Sequence, residues 1–172
     1  MKLYHGSTAG VETPDLQKCR STTDFGQAFY TTTNFEQAAE WAKIKRKRAQ
    51  TENLVVSVFE FDESVLYSEN YKVLFFDAPT HKWLEFVVGN RRGVKQSMVD
   101  FVTGPVANDS LYATIVLYEQ GVISADAAIE RLKVQKSYNQ LSFNTEKALK
   151  NLKFKEIITI NDLLQEICNE NS

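Results

Sequence analysis

Three short segments of this 172-residue chain hold side chains of types that could do chemistry. His5 and Gly6 close a short apolar run in Leu3-Tyr4-His5-Gly6-Ser7. Phe29 and Tyr30 form an aromatic pair within Asp24-Phe25-Gly26-Gln27-Ala28-Phe29-Tyr30-Thr31-Thr32. Gln140 stands in Tyr138-Asn139-Gln140-Leu141-Ser142-Phe143. An imidazole can hydrogen-bond or carry a proton near neutral pH. A phenol joins a flat apolar body to a polar tip. An amide can orient a hydroxyl but cannot act as a general base. Taken singly, each has a plainer role: a histidine tied at a strand end, a core aromatic with a wet hydroxyl, a turn glutamine. Shared chemistry requires the three to meet in one crevice.

Other polar groups read as structural. Glu60 and Asp62 are two apart on one expected strand and face the same side. That suits paired carboxylate chemistry, and a solvent-facing strand edge suits it better. His81 follows Pro79 at an expected helix start and reads as an exposed cap-region residue. The run Lys43, Lys45, Arg46, Lys47 and Arg48 reads as a solvated helix end, where cations oppose the negative end of the macrodipole. Cys19 and Cys168 stand in no metal-ligand spacing, so no metal site is expected. There is no P-loop, G-x-S-x-G elbow, H-E-x-x-H helix or strand-borne G-x-G-x-x-G.

The elements that would position these groups follow from local pattern. Strands are expected over 2–5, 29–32, 54–61, 73–76, 98–103, 141–143 and 154–160. Asn34 and Gln37 form a capping-box pair, and Phe35, Ala38, Ala39 and Ala42 then make a buried helical stripe. Further helices are expected over 80–92, 108–119, 124–132, from an Asn144 cap through Leu149, and over 163–167. Gly104-Pro105 is expected to close the strand before it. Strands and helices do not alternate strictly, which favours an α+β domain with a bent or split antiparallel sheet.

The chain is long enough for one domain, 1–172, with a core needing neither disulfides nor metals. Its formal net charge of −2 gives no overall pull toward nucleic acid or anionic membrane. No apolar stretch approaches the roughly 20 residues of a spanning helix. The N-terminus lacks the apolar core of a signal peptide, so the chain reads as cytoplasmic and unanchored.

Taken in order, these segments resemble an uncharacterised bacterial domain family of the ADP-ribosyltransferase superfamily. The likeness continues through Pro14-Asp15-Leu16, Arg20, Gln37-Ala38, Trp41-Ala42 and Gly104-Pro105-Val106-Ala107-Asn108-Asp109. It implies an ADP-ribosyltransferase-like split or bent antiparallel sheet with flanking helices. It also implies NAD as ADP-ribose donor, no metal, and an acceptor that is protein or nucleic acid. A toxin or phage-defence role with a neutralising antitoxin partner is part of the same analogy.

By that resemblance the catalytic set is His5, Tyr30 and Gln140. His5 would bond the adenosine-side ribose, and Gly6, with Ser7 beside it, would hold the nicotinamide carboxamide. Tyr30 would stack on the nicotinamide ring with Phe29 buried behind it, and Arg20 would meet the diphosphate. Gln140 takes a third position that most active relatives fill with glutamate, which argues against chain-forming transfer. A register shifted by two puts Ser142 there instead. Ala28 stands where a glycine is expected. A catalytically silent binding module and an NAD glycohydrolase are the alternative readings.

Overall fold

The computed structural model describes residues 1–94, 98–105, 109–133 and 139–160. The β-branched and aromatic runs form β1 (Lys2–Ser7), β2 (Phe29–Thr32), β3 (Val55–Glu60), β4 (Val73–Phe75), β5 (Phe101–Pro105), β6 (Asn139–Phe143) and β7 (Lys153–Thr159). Among the described residues the helices are α1 (Phe35–Ala49), α2 (His81–Arg91), α3 (Asp109–Glu119), α4 (Ala125–Lys133) and α5 (Glu146–Leu149). One seven-stranded sheet runs β4-β5-β6-β2-β1-β3-β7. Among the described residues only the β4–β5 pair is parallel. The fold is therefore α+β around a mostly antiparallel sheet. All seven strands belong to one sheet, and its central pair, β2 and β1, is joined at a single couple.

Strand alternation sends two apolar sets to opposite faces. Leu3, Phe29, Phe59, Leu141 and Phe143 pack together on one side. On the other, Val102 meets Phe25, Trp83, Leu84, Val87 and Leu132 from the loop before β2 and from α2 and α4. Helix α1 covers the rest of that second face, setting Ala38 and Ala42 against Val56. Each fully buried large apolar side chain contributes about 1.5–3 kcal/mol by leaving water. Small residues along α1 let its backbone lie close to the sheet.

Several expected details are corrected. Asn34 caps α1 as anticipated, its Oδ1 accepting from Gln37 N at 2.7 Å. The Gln37 side chain does not complete the box: it turns inward, and its Oε1 accepts from Thr32 Oγ1 at 2.6 Å. Thr145, not Asn144, caps α5, accepting from Ala148 N at 3.1 Å. Asn144 instead donates to Phe25 O at 2.7 Å, pinning a distant loop. Gly104 and Pro105 are the last two residues of β5 itself, rather than a turn after it. The helix expected over 163–167, and Cys168, lie outside the described residues.

Candidate functional site

The centre of the sheet is held by a single couple. β1 pairs with β3 from Lys2↔Glu60 to Ser7↔Val55, and β2 pairs with β6 from Phe29↔Phe143 to Thr32↔Gln140. Between β1 and β2 the pairing is Tyr4↔Thr32 alone. Beyond it Gly6 and Ser7 do not pair with Phe29 and Tyr30, although both strands continue. Backbone groups freed in this way must find other partners or a ligand.

His5 supplies one partner. Its Nδ1 lies 2.7 Å from Tyr30 O. A carbonyl can only accept, so Nδ1 carries the proton and Nε2 is left as an acceptor. The ring stacks on Phe29 with centroids 4.3 Å apart and planes at 25°. Burial lowers its pKa to about 3; the charge of Lys45 adds to this, and the bond to Tyr30 O opposes it. His5 is thus neutral at ordinary pH. It can hold a hydroxyl but does not shuttle protons by charging.

Lys45 meets the same opening from α1. Its Nζ donates to Gly6 O at 2.7 Å and lies 3.3 Å from His5 Nε2. Loss of water around the ammonium lowers its pKa; Cys19 opposes that shift, and the charge of Arg20 adds slightly to it. The residue as a whole is exposed, so water along the stem moderates that shift. Arg20 itself is exposed and follows a single 3-10 turn, Leu16–Lys18. Ser7, half-buried, ends β1.

Gly6 is required by packing. A Cβ built there would stand 1.7 Å from Ala38 O and 2.9 Å from Ala42 N, both in the α1 backbone. The glycine expected to admit a nicotinamide carboxamide thus admits a helix.

Tyr30 is an anchor. Its hydroxyl oxygen accepts from Phe25 N at 2.8 Å and donates to Gly26 O at 2.9 Å. Thr23 Oγ1 lies 2.7 Å away. Gly26 makes this turn at φ +80, a conformation that favours glycine. Burial raises the phenol's pKa, so it stays protonated. The half-buried ring packs toward the cluster under α2 and α4. Phe29, only 3% exposed, therefore lies behind His5 rather than behind Tyr30.

Gln140 is 4% exposed, and its Nε2 finds no hydrogen-bond partner among the described residues. It sits opposite Thr32, whose hydroxyl binds Gln37. Register puts Tyr4, Thr32 and Gln140 in one row, with Tyr30 and Ser142 in the next row on the same face. His5, one residue on from Tyr4, directs its ring to the Phe29 face. The three expected catalytic side chains therefore occupy adjacent strands without sharing one face. His5 touches Tyr30 through the Tyr30 carbonyl, and Gln140 stands two strands away, with Thr32 opposite it on β2 and Gly104 on β5. Ser142, the alternative, is fully buried, its hydroxyl 2.7 Å from Asn144 Oδ1.

The other candidates have structural roles. Glu60 pairs with Lys155 at 2.7 Å, and Asp62 caps a 3-10 turn. His81 Nε2 lies 2.8 Å from Asp126 Oδ1 on the surface. Sequence reasoning missed Lys45. The signal was present: Ala38, Ala42 and Lys45 stand at i, i+4 and i+7, so the lysine ends the stripe that faces the sheet.

Fold and site define an α+β protein whose central ladder opens beyond one residue pair and is bridged there by a neutral histidine and a lysine. Residues 1–154 match the family described as protein of unknown function, DUF3990, and the chain belongs to that family. No curated protein and no solved structure matches it. Among the described residues no helix is long and apolar enough to cross a membrane.

Proposed function

We propose that this chain is an NAD-dependent mono-ADP-ribosyltransferase related to the ADP-ribosyltransferase superfamily. The observation that carries the reading is the unpaired stretch between β1 and β2, where His5 Nε2 and Gly6 O are two acceptors that, among the described residues, share one partner, Lys45 Nζ. A ribose hydroxyl suits the first and a carboxamide N–H the second. The Gln140 amide lies on the opposite face from His5, and its Nε2 has no partner among the described residues, so a ligand oxygen that satisfied it would have to enter beside Thr32. Arg20 and Lys45 bring positive charge for a diphosphate.

In the proposed reaction the bond between the nicotinamide nitrogen and the ribose anomeric carbon breaks, and its electron pair leaves with nicotinamide. The acceptor's nucleophile bonds that carbon and loses its proton to solvent. Positive charge develops on the ribose, as in glycoside cleavage. The protein's part is to hold the dinucleotide, exclude water and orient hydroxyls through His5 and Gln140. Neither residue is a general base, so turnover is slow unless the acceptor brings a good nucleophile.

The test is incubation with adenylate-labelled NAD and cell extract. Nicotinamide release and a labelled macromolecule are expected, both falling at least tenfold in Gln140→Ala. Intact NAD and no labelled product reject transfer. The missing carboxylate at position 140 favours a second reading, a silent binding module, which calorimetry identifies as NAD binding without nicotinamide release. Free ADP-ribose as the sole product identifies a glycohydrolase.

A further inference from the structure

One amino group meets both acceptors that the functional reading assigns to the dinucleotide. Lys45 Nζ donates to Gly6 O at 2.7 Å and stands 3.3 Å from His5 Nε2. Three features make this more than a surface lysine resting on a strand. Its helix is locked in place, because Ala38 and Ala42 are fully buried over Gly6. The histidine tautomer is set by Tyr30 O, so Nε2 can only accept. Arg20, exposed just after the Leu16–Lys18 turn, adds its positive charge to that of the ammonium.

Two neutral acceptors are modest partners for an ammonium; a diphosphate is a stronger one. We propose that Lys45 is an exchangeable placeholder for the dinucleotide: it occupies His5 Nε2 and Gly6 O when no donor is bound, then yields both and turns to the diphosphate beside Arg20. The inference rests on the NAD reading above and deepens it by assigning an anionic subsite to Lys45. Its consequence is a change of sign between ligands. A phosphate-bearing ligand gains from the lysine, whereas a neutral fragment that needs Gly6 O competes with it.

The experiment is calorimetry of the full chain with NAD and, separately, with nicotinamide, comparing wild type, Lys45→Met and Lys45→Arg. In Lys45→Met, NAD affinity is expected to fall roughly 10- to 100-fold, the range of a charge-assisted hydrogen bond. Nicotinamide affinity is expected to rise several-fold in the same protein. Lys45→Arg restores NAD binding. Raising salt from 50 to 300 mM weakens NAD binding to wild type more than to Lys45→Met. Equal NAD affinity in wild type and Lys45→Met overturns the proposal while leaving the NAD reading intact. So does a parallel fall for both ligands, which marks a structural loss. Wild type that binds neither ligand overturns the NAD reading itself, and the placeholder with it. Lys45→Gln carries the same comparison if Lys45→Met does not fold.

Discussion

Replacing Gly6 by alanine separates two reasons for a glycine at the strand opening. The added Cβ would lie 1.7 Å from Ala38 O, 2.7 Å from Ala38 C and 2.9 Å from Ala42 N. Ordinary contacts begin near 3.5 Å, so α1 must retreat by about 1.5–2 Å. The obstacles are backbone atoms, which cannot rotate aside. Retreat uncovers Ala38 and Ala42, both fully buried, and stretches the Lys45 bond to Gly6 O. Overpacking typically costs 1–3 kcal/mol, and a rigid helix backbone puts this case at about 3 kcal/mol. For 172 residues that lowers Tm by roughly 6–12 °C. Urea denaturation followed by fluorescence of Trp41 and Trp83 measures it. A loss under about 1 kcal/mol, with NAD binding selectively abolished, would refute the packing account and return Gly6 to a role in ligand approach.

Tyr30→Phe removes the hydroxyl held among Thr23, Phe25 and Gly26, and should cost about 1–3 kcal/mol. Hydrogen exchange at Phe25 N should rise with it, and unchanged exchange would show that the anchor lies elsewhere. The folded pKa of His5, about 3, lies below its ordinary 6.5, so the unfolded chain binds the extra proton first. The stabilising effect is complete above about pH 6.5 and declines as pH falls toward 3. Between pH 6.5 and 5, wild type should lose about 1.5 kcal/mol more than His5→Gln in urea titrations; identical slopes would contradict the buried neutral imidazole. Gln140→Leu deletes an amide whose buried Nε2 has no partner among the described residues, so stability should change by less than about 1 kcal/mol while nicotinamide release falls. A loss above about 2 kcal/mol would mean that the amide serves the fold.

Much of this architecture is readable locally. The run containing Val55 to Glu60, the Asn34 cap and the Ala38–Ala42 stripe are short-range patterns, and each appears as an element with ends moved by a few residues. Errors fall where a side chain had a distant alternative. Asn144 looks like a helix cap and instead reaches Phe25 O, 119 positions away. Gln37 looks like the return half of a capping box and is drawn inward by Thr32, because burial leaves that hydroxyl needing an acceptor. Lys45 is hidden among five basic residues whose exposure depends on helix phase and on what the helix covers.

Residue order alone settles which segments extend, which coil and which side chains are chemically able, because those choices depend on neighbours within a turn or a strand. It also sets His5, Tyr30 and Gln140 on or beside extended segments, whereas the tertiary structure makes those segments neighbours in one sheet. Folding in three dimensions sets what each can do. Pairing of β1 and β2 at one couple leaves an opening, strand parity turns His5 away from Gln140, and the 23–26 turn claims the Tyr30 hydroxyl. Hydrogen-bond partners are assigned by proximity across the sheet, and proximity between residues 25 to 119 positions apart exists only once the chain has closed.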